Sequence, residues 1–220
     1  MDTKNRFPAG HASAIVPIRE IGPRYRDQLL RHVLALDDAD RYLRFGYTAN
    51  DRQIRKYVEG IDFERDQVFG IFNRALELIA VAHLAHPNDF LSQGFAEFGV
   101  SVAKHARGRG YGSRLFERAA IHAANDGVKM LYVHALSENK AMIRIALKAG
   151  ATVERSGGES ECYLKLPVAS LETRLSAFLS AQVGHIDYWI KSEISQMREL
   201  LSLVQQVRAG VQDARHKAGS

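Results

Sequence analysis

The run Arg107-Gly108-Arg109-Gly110-Tyr111-Gly112 constrains this chain more than any other stretch of its sequence. Ahead of it, Phe95 to Ala103 has the β-branched and aromatic pattern of a strand. After it, Gly110 to Asn125 returns Leu115, Phe116, Ala119, Ala120 and Ala123 at helical spacing. Glycines between a strand and a helix let the backbone pass close to a bulky ligand. The unpaired amides of the helix start, at the positive end of the helix dipole, suit phosphate oxygens. Arg107 and Arg109 add charge to that anion site. A nucleotide P-loop would end in Gly-Lys-Ser/Thr, and a dinucleotide fingerprint needs a different glycine spacing with an acidic residue about 20 positions on. Neither requirement is met.

Around this loop the hydrophobic period changes twice. Segment 13–19 carries Pro17 and predicts an edge strand, and helical spacing follows over 23–36, 38–45 and 50–58. Gln67 to Phe72, Leu76 to Ala85 and Phe95 to Ala103 predict a strand meander. Beyond the helix that stops near Gly127 come a strand at Met130 to Ala135 and a helix capped by Ser137 and ending at Gly150. Two closing strands, 151–154 and 160–166, complete the body. After Pro167 the pattern is purely helical. The expected division is therefore a body at 1–167 and a helical extension at 168–220, in which Ile190, Met197, Val204 and Val211 recur every seven residues. That stripe predicts either a homodimer through these helices or a helix docked on its own body.

Composition narrows the classes. The 220 residues, 46% hydrophobic and 25% charged, are ordinary globular usage. A lone Cys162 rules out an internal disulfide and has no partner at zinc-ligand spacing, so no metal is expected and a reducing, cytoplasmic setting fits. The most apolar stretch, Leu76 to Ala85, is about half a membrane span, and no signal peptide is recognisable, so no membrane is expected. The net charge is +5, with 24 basic against 20 acidic residues up to Pro167 and 6 against 5 after it. This is too diffuse to argue for nucleic acid.

With its flanks, the stretch from Ala96 to Ala151 resembles the GNAT superfamily of N-acetyltransferases. The family's acetyl-CoA loop, Arg or Gln, two residues, Gly, one residue, Gly or Ala, maps onto Arg107, Gly110 and Gly112, with Val102 on the strand before it. Asn139, followed by an apolar helix ending Ala149-Gly150-Ala151, resembles the family's second motif. The resemblance implies an α+β fold, with α/β/α layers around a mixed, largely antiparallel, splayed sheet. It also implies that Val100, Ser101 and Val102 offer backbone groups to the pantetheine arm of acetyl-CoA. The loop through Arg107, Gly108, Arg109, Gly110, Tyr111, Gly112 and Ser113 would hold the pyrophosphate, and Asn139 would sit beside the pantetheine.

Glu97, in Ala96-Glu97-Phe98, is the candidate general base, since a carboxylate beside the acetyl group can take the proton of an incoming ammonium. Bacterial protein-lysine acetyltransferases of the superfamily are similar here, with a catalytic glutamate in an Ala-Glu-Phe segment. Strand alternation alone leaves open whether Glu97 merely faces solvent. Many members carry a tyrosine that protonates the leaving thiolate where this chain has Ala146, so no general acid is assigned. Tyr42-Leu43-Arg44-Phe45 also resembles a segment of the lysine acetyltransferases that helps form the acceptor cleft. Its plain reading is an amphipathic helix packing Leu43 or Phe45 on the sheet. Cys162 alternates with Leu164 and Leu166 and reads as core. The expected activity is acetyl transfer to a primary amine, of a protein lysine or of a small amine or amino-acid-like molecule. The rival is a CoA-binding module without turnover.

Overall fold

The computed structural model describes residues 16–86, 94–156 and 158–166. In chain order these form β1 (Arg19–Glu20), a 3-10 turn (Pro23–Tyr25), α1 (Arg26–Leu34), α2 (Asp38–Phe45) and α3 (Asp51–Glu59). The order continues with β2 (Gln67–Phe72), β3 (Leu78–Ala85), β4 (Phe95–Val102), α4 (Tyr111–Asn125), β5 (Met130–Leu136), α5 (Lys140–Lys148), β6 (Thr152–Ser156) and β7 (Glu159–Lys165). One seven-stranded sheet runs β1-β2-β3-β4-β5-β7-β6, and all its pairs are antiparallel except β4 with β5. The helical extension and its heptads lie outside the described residues, as does the start of the expected first strand. Of its described residues only Arg19 pairs, with Glu20 beyond it, two positions after a proline that has no N–H to give a ladder.

Strand alternation sorts the core into two halves, one on each face of the sheet. Phe69, Ile71, Ala82, Leu84, Phe98, Leu131, Val133 and Cys162 pack toward α4 and α5 with Leu115, Phe116 and Met142. Val68, Phe72 and Val81 pack toward α1 and α3 with Leu29, Val33, Ile54 and Val58. The result is the expected α/β/α layering. Burial pushes the Cys162 thiol above its ordinary pKa, as suits a core residue rather than a nucleophile.

Helix ends follow the local chemistry with one correction. Asn50 and Gln53 form a capping box on α3, and Gly127 and Gly150, at φ +82° and +89°, follow α4 and α5. Ser137 does not cap α5. Its hydroxyl bonds Ser160 Oγ at 3.0 Å, and the cap is Asn139, whose Oδ1 accepts from the Met142 amide at 3.1 Å. Among the described residues no helix is long and apolar enough to cross a membrane.

Helix α2 behaves unlike the others, because none of its residues is buried. Asp37 caps its start, accepting from the Asp40 amide at 2.9 Å, and Gly46 at φ +80° ends it. Leu43 and Phe45 are half-buried; Phe45 packs against the core on the α1 and α3 side, as expected, and polar ties hold the helix at several other points.

Candidate active site

The sheet opens at its centre. Strands β4 and β5 pair only through Phe95, Ala96 and Glu97, matched with Met130, Leu131 and Tyr132. Past Glu97, β4 continues against β3 alone, and β5 against β7. The Ala103 amide donates to Ile79 O of β3 at 2.9 Å. By alternation the backbone groups of Ser101 and Gly99 also turn toward β3, while those of Val100 and Val102 turn into the gap. Of the three residues expected to offer main-chain groups there, Val100 and Val102 are so placed. Ser101 instead offers its hydroxyl to α1, where His32 Nε2 lies 2.9 Å away. His32 Nδ1 faces Leu78 O at 2.8 Å, a pure acceptor, so Nδ1 carries the proton and Nε2 accepts from Ser101. Burial holds the His32 pKa down, which favours this neutral form.

At the wide end of the gap lies the glycine loop. Gly108 and Gly110 both adopt φ +75°, a conformation that strains other residues, and a Cβ at either would meet nothing within 4 Å. Gly110 is the N-cap of α4, and no side chain caps that helix. Gly112 is small for another reason, since its Cβ would stand 3.0 Å from Ile145 Cδ1, where α4 meets α5. Tyr111 and Ser113 are half-buried in the first turn and Arg109 is exposed. The open loop, the uncapped helix start and the unpaired β4 edge fit a long ligand with a phosphate end. Arg107 donates from Nε to Val102 O at 3.2 Å and pairs through Nη2 with Asp40 Oδ2 of α2 at 2.5 Å. Lys104 pairs likewise with Asp37, whose carboxyl is held below its usual pKa by that hydrogen bond.

Glu97 is exposed on the face shared by Gly99 and Ser101, at the last β4–β5 pair before the gap and opposite Tyr132. A directed chain of hydrogen bonds approaches this face. Asp66, buried, faces His83 Nε2 at 3.1 Å and accepts from the His86 amide at 3.1 Å. With Nε2 donating to the carboxylate, His83 Nδ1 accepts from the Tyr57 hydroxyl at 2.9 Å, and the Tyr57 oxygen accepts from Arg44 Nη2 at 2.9 Å. Burial, then the nearby Arg44 charge, keep His83 below its ordinary pKa, so that it stays neutral and able to accept. The Arg44 guanidinium lies over the Phe45 and Tyr57 rings, 5.2 and 5.5 Å from their centroids. It also rests on the β4 backbone, where a Cβ at Gly99 would stand 2.5 Å from Cζ and 2.7 Å from Nη1. On the far side of Glu97, the Tyr163 hydroxyl donates to Glu161 and its pKa is pushed up to about 12. Burial, helped by Glu161, raises Tyr132 as well.

Residues 18–152 match the family described as the acetyltransferase (GNAT) domain. The chain belongs to the GNAT family. It is an acyltransferase, an acetyl-CoA-dependent N-acetyltransferase, and acetyl-CoA is the acetyl donor of such enzymes. Among solved structures, the GNAT domain of S. lividans PAT is 21% identical, with a TM-score of 0.58, covering 73% of this chain and 100% of that one. A phosphinothricin acetyltransferase from Sinorhizobium meliloti in complex with AcCoA is 12% identical at a TM-score of 0.57, covering 69% and 89%. A ribosomal-protein-alanine N-acetyltransferase from Brucella melitensis is 18% identical at 0.51, covering 66% and 96%. These likenesses establish the GNAT fold.

In this GNAT domain the Asn139 side chain bonds protein groups at both ends. Its Oδ1 caps α5 and its Nδ2 donates to Leu43 O of α2 at 3.1 Å, so it ties the second motif to the helix over the gap. Ala146, on the buried face of α5, is wholly buried and offers no hydroxyl. Sequence reasoning missed Tyr57, His83, Asp66 and Tyr132 altogether. It named Arg44 only as part of a helical segment. The one available signal was the placement of Gly99 within an otherwise bulky strand, a mark of close approach by another group.

Proposed function

We propose that this GNAT enzyme passes the acetyl group directly from acetyl-CoA to a primary amine, of a protein lysine or of a small molecule, with Glu97 as general base. The observation that carries this reading is the position of Glu97 at the residue where β4 and β5 part, itself exposed on the sheet face that α1 and α2 partly cover. Acetyl-CoA supplies an activated acyl group on a leaving thiol. The main-chain groups of Val100 and Val102 line its path, and the loop from Arg107 to Ser113 with the α4 start receives its phosphates. Glu97 removes the ammonium proton, directly or through water. The nitrogen lone pair then bonds the carbonyl carbon, the C–S bond breaks with its electron pair on sulfur, and CoA leaves as the thiol after taking up a proton. With Ala146 in the core, that last proton comes from water or from the proton released by the amine.

The test is Glu97→Gln, which keeps the shape and removes the basicity. The expected result is a loss in kcat on the order of 10²-fold with acetyl-CoA binding nearly unchanged. Full turnover in the variant at every pH overturns the role.

A further inference from the structure

Among the described residues Arg44 forms no ion pair, whereas Arg41, Arg65, His83, Lys104, Arg107 and His122 each do. The side-chain hydrogen bond it makes among them goes to a neutral phenol, Tyr57. A guanidinium has five N–H donors, and a half-buried one is costly to leave short of acceptors. The surrounding structure nevertheless holds it firmly in place. Two aromatic rings stack on it, the Asp66–His83–Tyr57 chain fixes its Nη2, and position 99 lacks a side chain where it lies. The place so prepared is beside the exposed Glu97, where on the proposed function the amine arrives. Both charges act on the same Tyr57 hydroxyl, Arg44 lowering and Glu97 raising its pKa, although burial is the larger influence there.

We infer that Arg44 binds a carboxylate of the acceptor, so that the amine acetylated here belongs to an α- or β-amino acid rather than to a lysine side chain. This rests on the proposed transfer at Glu97. Electrostatics supports it, since a fixed cation repels a bare ammonium but attracts a zwitterion whose carboxylate turns toward it. Geometry limits the separation. Arg44 rests at Gly99, two residues from Glu97 on the same strand face and about 7 Å along it. An amine at Glu97 and a carboxylate at Arg44 therefore sit only a few bonds apart, as in an α- or β-amino acid. A lysine ε-amine in a polypeptide carries no carboxylate at that distance.

The experiment measures CoA thiol release by the full chain with a panel of amino acids, each paired with its decarboxylated amine, such as phenylalanine with phenethylamine and methionine with 3-methylthiopropylamine. A lysine-containing peptide is included. For the best acid the expected kcat/KM exceeds that of its amine by roughly 10²-fold, because a site built to bond a carboxylate penalises its absence. In Arg44→Gln that ratio collapses to within about threefold through a raised KM for the acid, while the acetyl-CoA KM is unchanged. Arg44→Lys, which keeps the charge and loses the fork, falls between the two. Equal use of acid and amine by the wild type, preference for the peptide, or a ratio that survives in a folded Arg44→Gln overturns the inference while leaving the transfer reaction standing. Acetyl-CoA binding without acetylation of any amine overturns the proposed transfer itself, and this inference with it.

Discussion

Gly99→Ala puts the placement of Arg44 to a stability test that needs no substrate. The added methyl would stand 2.5 Å from Cζ and 2.7 Å from Nη1 of Arg44, well inside van der Waals contact, so the guanidinium must leave. What it abandons is a hydrogen bond of 2.9 Å to Tyr57 and the faces of Phe45 and Tyr57. A charge-assisted hydrogen bond at a half-buried site and two partly exposed ring contacts come to about 1.5–3 kcal/mol once rehydration of the arginine is allowed for. Alanine returns about 0.4–1 kcal/mol by restricting the unfolded chain. The net loss is then about 1–2 kcal/mol, or roughly 2–8 °C in Tm for a chain of this size. In an Arg44→Ala background the same methyl meets no guanidinium and stabilises by about 0.4–1 kcal/mol. The coupling energy from urea denaturation of the four proteins should therefore be about 1.5–3 kcal/mol, against the roughly 0.3–0.5 kcal/mol within which independent sites add. Additive effects would show that Arg44 does not rest on β4, and would remove the geometric basis for its contact with an acceptor.

Two further outcomes follow from the geometry. Burial lowers the pKa of both His32 and His83 in the folded state, so the unfolded chain binds more protons as pH falls through about 6.5. Their contribution to stability is complete above that pH and is lost below it, at up to about 1.4 kcal/mol per pH unit for each histidine. Denaturation midpoints should thus drop between pH 7 and 5.5, and a His32→Gln, His83→Gln double variant with the same slope would contradict this. At the loop, Gly110→Asp places a carboxylate at the uncapped α4 start, with open space around the new Cβ and a φ of +75° that aspartate tolerates better than most residues. CoA affinity measured by calorimetry should fall by more than tenfold while the strain at φ +75° lowers the melting temperature by only a few degrees, and an unaltered Kd would mean that the phosphates bind elsewhere.

The strand, glycine loop and helix start behind the proposed donor site were legible in the sequence because that arrangement is local. A phosphate cradle needs glycines and a helix start within a few consecutive positions, and Arg107 to Ser113 carries both. The layered sheet was legible for the same reason, each strand carrying its own period. The acceptor side could not be read this way. Arg44, Tyr57, Asp66 and His83 come from α2, α3, the segment before β2, and β3, and they meet only because α2 and α3 lie over one face of the sheet. In the sequence each looks like a surface or packing residue. Register was equally hidden, since alternation shows that Glu97, Gly99 and Ser101 share a face but not which face, and the end of β4–β5 pairing at Glu97 is a property of two strands at once. Asn139 and Ser137 illustrate the limit at a smaller scale. Both are good caps, and the choice between them depends on Ser160 and on Leu43 of α2.

Helix α2 is where the two halves of the site are joined. Asp37 and Asp40 at its start neutralise Lys104 and Arg107 of the donor loop, the carbonyl of Leu43 accepts from Asn139 at the start of α5, and Arg44 in its last turn reaches the acceptor face. No residue of the helix is fully buried, so these polar ties act together with the packing of Phe45 on Tyr57 and the α1–α3 core to fix its position. Exposed ion pairs of this kind contribute only about 0–1 kcal/mol each. Lys104 and Arg107, at the proposed phosphate loop, thus anchor the start of α2, while Arg44, the proposed partner of an acceptor carboxylate, stands in the last turn of the same helix. On the proposed reading of the site, α2 therefore touches both the donor loop and the acceptor face.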